Sequence, residues 1–144
     1  MEQKNQYRRG LAFNKPLPIL TCAGVCMAEI SKEKFQELVA NGEITPNITL
    51  PGVDLRDSNL RSAFLVGADL AGAKLQNSNM ACANFENANL EGADLRGCNL
   101  SYTCFKNANL KNANLKKAYF EFTDFRGANL QGTNFEDTSG QKIV

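Results

Sequence analysis

The chain contains no histidine and no tryptophan. Histidine is the side chain that most often serves as a general base near neutral pH and binds metals as a neutral imidazole, so its absence argues against triad and metal-assisted chemistry. No phosphate loop, metal-ligand cluster or nucleophile–base pair occurs, and no catalytic residue, metal, cofactor or small-molecule substrate is expected. An excess of charge of one sign is also missing. Sixteen basic and 15 acidic residues leave +1 over 144 residues, which gives no global attraction to nucleic acid or to an anionic membrane. No apolar run reaches the roughly 20 residues of a membrane span. The stretch Leu17 to Ala28 follows Arg8, Arg9 and Lys15 somewhat as a secretory signal would, but it is short, is interrupted by proline at 16 and 18, and has a long polar leader. A disulfide framework is lacking too. The five cysteines, Cys22, Cys26, Cys82, Cys98 and Cys104, are odd in number and form no CxxC pair. The last three replace residues of a repeat and read as small apolar fillers. Free buried thiols suit a reducing compartment, so the expected location is cytoplasmic.

What the chain does have is a strict period of five. From Leu50 to Phe135 every fifth residue is large and apolar: 18 positions in succession, without an insertion. Two residues before each lies a small side chain, as at Ala63, Ala88, Ala93, Cys98 and Ala113, and between the two sits mostly Asn or Asp, as at Asn79, Asn89 and Asp94. On an α-helix five residues advance the side chain by about 140°, which would scatter the large residues around the helix. On a flat strand an odd period would put successive ones on opposite faces. The chain must therefore turn within every five residues so that each large residue points at one axis. Gly, Asn or Asp at positions such as 52, 57, 67, 77, 92, 107 and 132 supplies the turn chemistry.

Segments such as Ala88-Asn89-Leu90-Glu91-Gly92 and Ala93-Asp94-Leu95-Arg96-Gly97 resemble the pentapeptide-repeat family, whose motif is Ala-(Asp/Asn)-Leu followed by two variable residues. The resemblance covers residues 48–138. It implies an all-β fold, a right-handed quadrilateral β-helix with four pentapeptides per coil. Residues twenty apart should then stack, giving interior columns such as Leu50, Leu70, Leu90, Leu110, Leu130 and Leu65, Phe85, Phe105, Phe125. Three phenylalanines in one column should stack along the axis, and Asn89, Asn109 and Asn129 should form an outer hydrogen-bonded ladder.

Residues 1–45 lack the repeat and residues 139–144 form a tail. Ser31 is positioned as an N-cap, with Lys34 where a capping-box Glu would sit. Ile30, Phe35, Leu38 and Val39 supply an apolar side and Asn41-Gly42 a stop, so the spacing predicts a short helix over 31–41 that caps the N-terminal coil. The other end is expected to be open, which invites an end-to-end homodimer.

One corner breaks the repeat. The turn joining the third and fourth faces carries Phe64, Cys82, Tyr102, Cys104 and Phe122 where other corners have mostly Gly, Asn, Asp or Lys, and Val66 and Tyr119 lie nearby. An outward apolar ridge usually marks contact with something, either a partner protein or the chain's own Leu17 to Met27, and the remaining reading is a tolerated scatter of apolar residues. The expected function is a non-catalytic protein–protein interaction or scaffold module with an unidentified protein partner. The alternative is a DNA mimic that regulates a type II topoisomerase (gyrase), a role that some members of the family suggest. Against it, the repeats carry nine basic and ten acidic residues, a poor imitation of duplex DNA, which bears one charge per about 1.7 Å.

Overall fold

In the computed structural model of the protein, residues 31–44 and 46–140 are described. The repeat acts through its turns. The carbonyl of a large residue accepts the N–H three residues on, as in Ala63 N–H to Leu60 O and Ala88 N–H to Phe85 O, both 3.0 Å. The second central residue of each turn has positive φ, for example 69° at Gly52 and 58° at Asn87, whereas the first does not. This is the type II pattern, and Pro51 suits a first central position because its ring holds φ near −65°.

A turn after every fifth residue winds the chain into a coil. Residues twenty apart pair in parallel from Thr49 with Asp69 to Tyr119 with Ser139, so each coil holds four pentapeptides and has four sides. The pairing runs unbroken, as the resemblance implies, and continues to Ser139. Among the described residues the β structure consists of isolated bridges, because the turns leave only two or three extended residues on each face.

Nearly every backbone amide in a repeat has an assigned partner. Leu90 and Gly92 donate to the coil ahead, at Asn109 O (2.7 Å) and Lys111 O (2.9 Å), and Asn89 donates to the coil behind, at Ala68 O (2.8 Å). A fourth amide closes the turn. The remaining one, at the first central turn position, is taken by the Asn or Asp two residues earlier: Glu86 N–H donates to Asn84 Oδ1 (2.9 Å) and Arg126 N–H to Asp124 Oδ1 (3.0 Å). The motif's Asn/Asp is therefore an Asx-turn acceptor that satisfies a donor the coil cannot.

The large residues fill the axis, and nearly all are buried. Phe85, Phe105 and Phe125 stack in one column as expected, with ring centroids 5.3 and 5.4 Å apart. The small inward residues tolerate a polar atom because a carbonyl of the preceding coil lies within reach. Ser78 Oγ donates to Leu55 O (2.7 Å), Thr103 Oγ1 to Met80 O (2.9 Å) and Cys98 Sγ to Leu75 O (2.9 Å). Burial pushes the Cys98 thiol up to about 12, so it stays protonated and serves as a donor. The outer amide ladder differs from expectation. It runs Asp69, Asn89, Asn109, with bonds of 2.9 and 3.0 Å, and stops before Asn129. Asn129 Oδ1 accepts Gln131 N–H, just as Asn89 and Asn109 accept the N–H of Glu91 and Lys111, but Asn129 lies on the more exposed last coil and the ladder does not extend to it.

Helix α1 spans Lys32–Ala40. Ser31 Oγ accepts Lys34 N–H at 3.2 Å, and the chain leaves α1 through Asn41 and Gly42, the latter at φ 66°. Phe35 and Leu38 are buried in the same apolar cluster as Leu50 and Leu55. Ile30, expected on this apolar side, lies outside the described residues. At the opposite end Leu130 is exposed and Phe135 only partly covered, while Phe120, Phe125 and Phe135 meet edge to face at 5.9–6.2 Å.

Ala93 and Ala113 are buried against neighbouring coils, so a larger side chain at either position must displace backbone. Ala93→Phe or Ala113→Phe should each destabilise by about 1–3 kcal/mol or prevent folding. Unchanged thermal unfolding in both variants would show that these positions do not face a close-packed interior.

Candidate functional site

The turn residues with positive φ form four outer columns, one along each edge of the coil. Three follow, with Lys117 the one departure, the steric rule for that conformation, which favours Gly, Asn and Asp. One column is Gly52, Gly72, Gly92, Asn112 and Gly132, another Gly67, Asn87, Asn107 and Gly127, and the third Asp57, Asn77, Gly97, Lys117 and Asp137. In the third, Asn77 Oδ1 lies over Gly97, where an added Cβ would come within 2.7 Å, so glycine at 97 also avoids a clash with that side chain. The fourth column contains none of the three favoured residues. It is Ser62, Cys82, Tyr102 and Phe122, at φ 59°, 62°, 58° and 53°. Bulky side chains in this region cost about 1–2 kcal/mol each.

Tyr102 and Phe122 stack face to face on the outside, with ring centroids 5.2 Å apart and ring planes 20° apart. Tyr102 is 57% exposed, Phe64 51%, Tyr119 41% and Phe122 38%. Cys82 is exposed and Cys104 half-buried, and both are free thiols. Of the five residues singled out in the sequence, Cys82, Tyr102 and Phe122 therefore share one column. Phe64 and Cys104 belong to the column on the far side of the turn, with Asn84 between them in its ladder. Val66 is only half-exposed. The segment Leu17 to Met27 lies outside the described residues.

Polar groups border the edge. Tyr119 Oη donates to Glu121 Oε2 at 3.0 Å, and that bond, reinforced by the carboxylate's charge, raises the phenol above its ordinary range. On the other side Arg126 clamps Asp124 through Nε and Nη2. The side-chain hydrogen bond from Arg126, with its backbone N–H next, lowers the Asp124 carboxyl to about 2. Asp54–Arg56 repeats the arrangement, with Asp54 likewise lowered to about 2, and Asp94–Arg96 makes a third such clamp. Sequence reasoning missed these clamps, although an Asp-(Leu/Phe)-Arg tripeptide occurs at all three places. Among the described residues no group of His, Cys, Asp and Glu is placed to hold a metal ion.

The twenty-residue coil, its five-residue turns and its leucine columns match known proteins directly. A family model for pentapeptide repeats matches residues 47–77, 78–116 and 103–139, with eight copies. The chain belongs to the pentapeptide-repeat family. It is similar to the pentapeptide-repeat protein alr5209 from Nostoc PCC 7120, with 31% identity over 66% of this chain and 78% of that one and a TM-score of 0.54. It is also similar to HetL from Nostoc sp. strain PCC 7120, described as involved in regulation of heterocyst differentiation. There the identity is 28% over 66% of this chain and the TM-score 0.63, but the match spans only 46% of HetL's length. Comparison with curated proteins finds no match. Within the pentapeptide-repeat coil, family membership accounts for the interior and the turns but not for the aromatic column.

The clamp at the edge has a pH signature. The folded Asp124 carboxyl lies near 2, below its ordinary value of 3.8, so the stability it contributes is present above about pH 4 and is lost as pH falls through about 2. A carbon-detected titration should place the Asp124 midpoint near 2 and the Arg126→Gln variant's midpoint near 4. A wild-type midpoint near 4 would rule out the clamp in solution.

Proposed function

We propose that this pentapeptide-repeat protein is a non-catalytic interaction module that docks a protein partner along the edge formed by Phe64, Cys82, Tyr102, Cys104 and Phe122. The observation that carries this reading is the outward stack of Tyr102 on Phe122 in backbone positions that the other three edges give almost wholly to Gly, Asn and Asp. Retained strain at an exposed aromatic pair is a cost that folding alone does not require. Aromatic side chains are also the usual anchors of protein interfaces. In this reading α1 caps the N-terminal coil, and the faces beside the edge supply the rest of the footprint. Exposed Leu130 and partly covered Phe135 support a second contact, end to end between two copies. HetL's association with regulation is in keeping with an adaptor that works by contact.

The charge pattern supports an adaptor over a DNA mimic. Cations lie between the acidic groups: Lys106 stands 3.9 Å from Glu86, Lys111 3.7 Å from Glu91 and Lys116 2.8 Å from Glu136. An unbroken negative rod would lack them. Micromolar protein should accordingly leave the supercoiling activity of a type II topoisomerase, and its inhibition by quinolones, unchanged. Inhibition or protection would favour the mimic.

Replacing Tyr102 and Phe122 together by Asn separates docking from stability. Loss of the stack costs about 0.5–1.5 kcal/mol, while relief of the turn conformation returns a comparable amount. Thermal unfolding should stay within a few degrees of wild type, and co-purification of the partner from the native host should be lost. Capture of the same partner at wild-type yield by the double variant would overturn the reading.

A further inference from the structure

We propose that helix α1 holds the place of a second copy's last coil, and that lifting α1 lets two copies join head to tail. This names the two surfaces of the end-to-end contact above and rests on that part of the reading. Docking along the aromatic edge does not enter it.

The starting point is what the two ends of the coil leave unpaired. Within the coil a large residue and the second turn residue donate forward, as Leu90 and Gly92 do, and the Asn or Asp before a large residue donates back, as Asn109 does. Among the described residues the N–H groups of Leu130, Gly132, Phe135 and Asp137 and the carbonyls of Ala128 and Thr133, all on the last coil, make no hydrogen bond. The first coil is the converse. Among the described residues the carbonyls of Thr49, Pro51 and Asp54 accept nothing, and the N–H groups of Thr49 and Asp54 donate to nothing. The fourth carbonyl of this set, Arg56 O, is taken by Lys32 Nζ of α1 at 2.8 Å.

The two sets fit each other in one register. The columns through residues 49 and 129 and through 54 and 134 are continuous. A second copy stacked on the last coil therefore puts Leu50 over Leu130 and Leu55 over Phe135. The N–H groups of Leu130, Gly132, Phe135 and Asp137 then meet the carbonyls of Thr49, Pro51, Asp54 and Arg56, while the N–H groups of Thr49 and Asp54 meet the carbonyls of Ala128 and Thr133. This is the parallel pattern already used between coils, carried from one molecule to the next. A straight strand cannot supply it, because each face is only two or three residues long before it turns. The partner must turn where this coil turns, and a second copy does. Glu136 comes under Arg56 and Asp137 under Asp57, one attraction and one repulsion, so the backbone rather than charge sets the register.

Helix α1 stands in for that partner. Lys32 gives Arg56 O the donor that Asp137 N–H gives in the joint, and fully buried Phe35 joins the apolar cluster that holds Leu50 and Leu55. Its hold is slight: nine residues are too few for a stable isolated helix, and only Phe35 and Leu38 are buried. The joint is small as well, one coil's end, so it forms only at high protein concentration. Its two sides differ, so it does not close on itself and copies add in a row.

Lys32→Ala, Phe35→Ala and Leu38→Ala together detach α1 and leave every coil residue unchanged. At about 0.1 mM the weight-average mass of this variant in sedimentation should be at least about threefold that of wild type, because a heterologous joint continues past the dimer. Wild type added in equal amount should lower that mass, since each wild-type copy offers its last coil while its own α1 blocks the first. Leu130→Lys in the detached variant should abolish growth. A detached variant that stays folded by circular dichroism and matches wild type in mass overturns the proposal. So does growth that wild type does not lower, which is unspecific aggregation. Loss of the coil's circular-dichroism signal overturns it as well, because α1 is then part of the fold rather than a plug. A dimer of equal mass in both proteins, lost with Leu130→Lys, also overturns it but leaves the end-to-end contact standing as a pairing of two last coils. Monomers throughout remove that contact too.

Discussion

The structure depends on one backbone event repeated without exception: a residue held at positive φ two positions after each large apolar residue. At most repeats that conformation closes a hydrogen-bonded turn, and five residues per turn with four turns per coil bring residues twenty apart into register. Register then gives each amide its place. Three amides per repeat pair with neighbouring coils, one closes the turn and one is taken by an Asn or Asp side chain. A one-residue insertion would disturb all of these at once, which explains why none occurs over eighteen repeats. No single repeat is stable alone. Each gains its stability from the coil before and after it.

The interior follows from the same geometry. Large residues meet only their own column and its neighbours, so the phenylalanines at 85, 105 and 125 stack. Small inward positions accept Ser, Thr or Cys because a backbone carbonyl lies in reach, that of the preceding coil's large residue at Ser78, Cys98 and Thr103 and that of its own turn at Thr138. Polar substitution inside is therefore inexpensive as long as the group can donate. Ser58 marks the limit of this rule. It belongs to the first coil, has no coil before it, and its buried hydroxyl makes no protein hydrogen bond.

Outside, conformity is cheap and departure is informative. Three edges obey the left-handed preference for Gly, Asn and Asp, with Lys117 the one departure, and their side chains serve the turns. The fourth edge sets stacked aromatics and a free thiol in the same backbone positions. The turns themselves would be served by Gly or Asn there, so the stack of Tyr102 on Phe122 is not something the coil requires. The bordering Tyr119–Glu121 and Asp124–Arg126 pairs frame that surface with fixed polar groups.

The sequence by itself determined the coil. A period of five is incompatible with a helix or a flat strand, so the turn frequency and the inward large residues were legible from spacing, whereas four turns per coil, and with them the columns and the phenylalanine stack, followed from the resemblance to the pentapeptide-repeat family. Ser31, Phe35 and Asn41-Gly42 likewise marked helix α1 to within a residue or two. The aromatic corner was visible as a breach of the pattern, but its meaning was not. Only the tertiary structure decided that Tyr102 and Phe122 stack in strained turn positions, that Phe64 stands apart from them across the turn, and that the motif's Asn and Asp are acceptors for a turn amide. It also decided that the outer ladder ends before Asn129 and that aspartates pair with arginines two residues on. These facts depend on side-chain direction and on competition for hydrogen bonds between coils. A one-dimensional period fixes where a residue lies along and around the coil, but not which of several nearby partners its side chain takes.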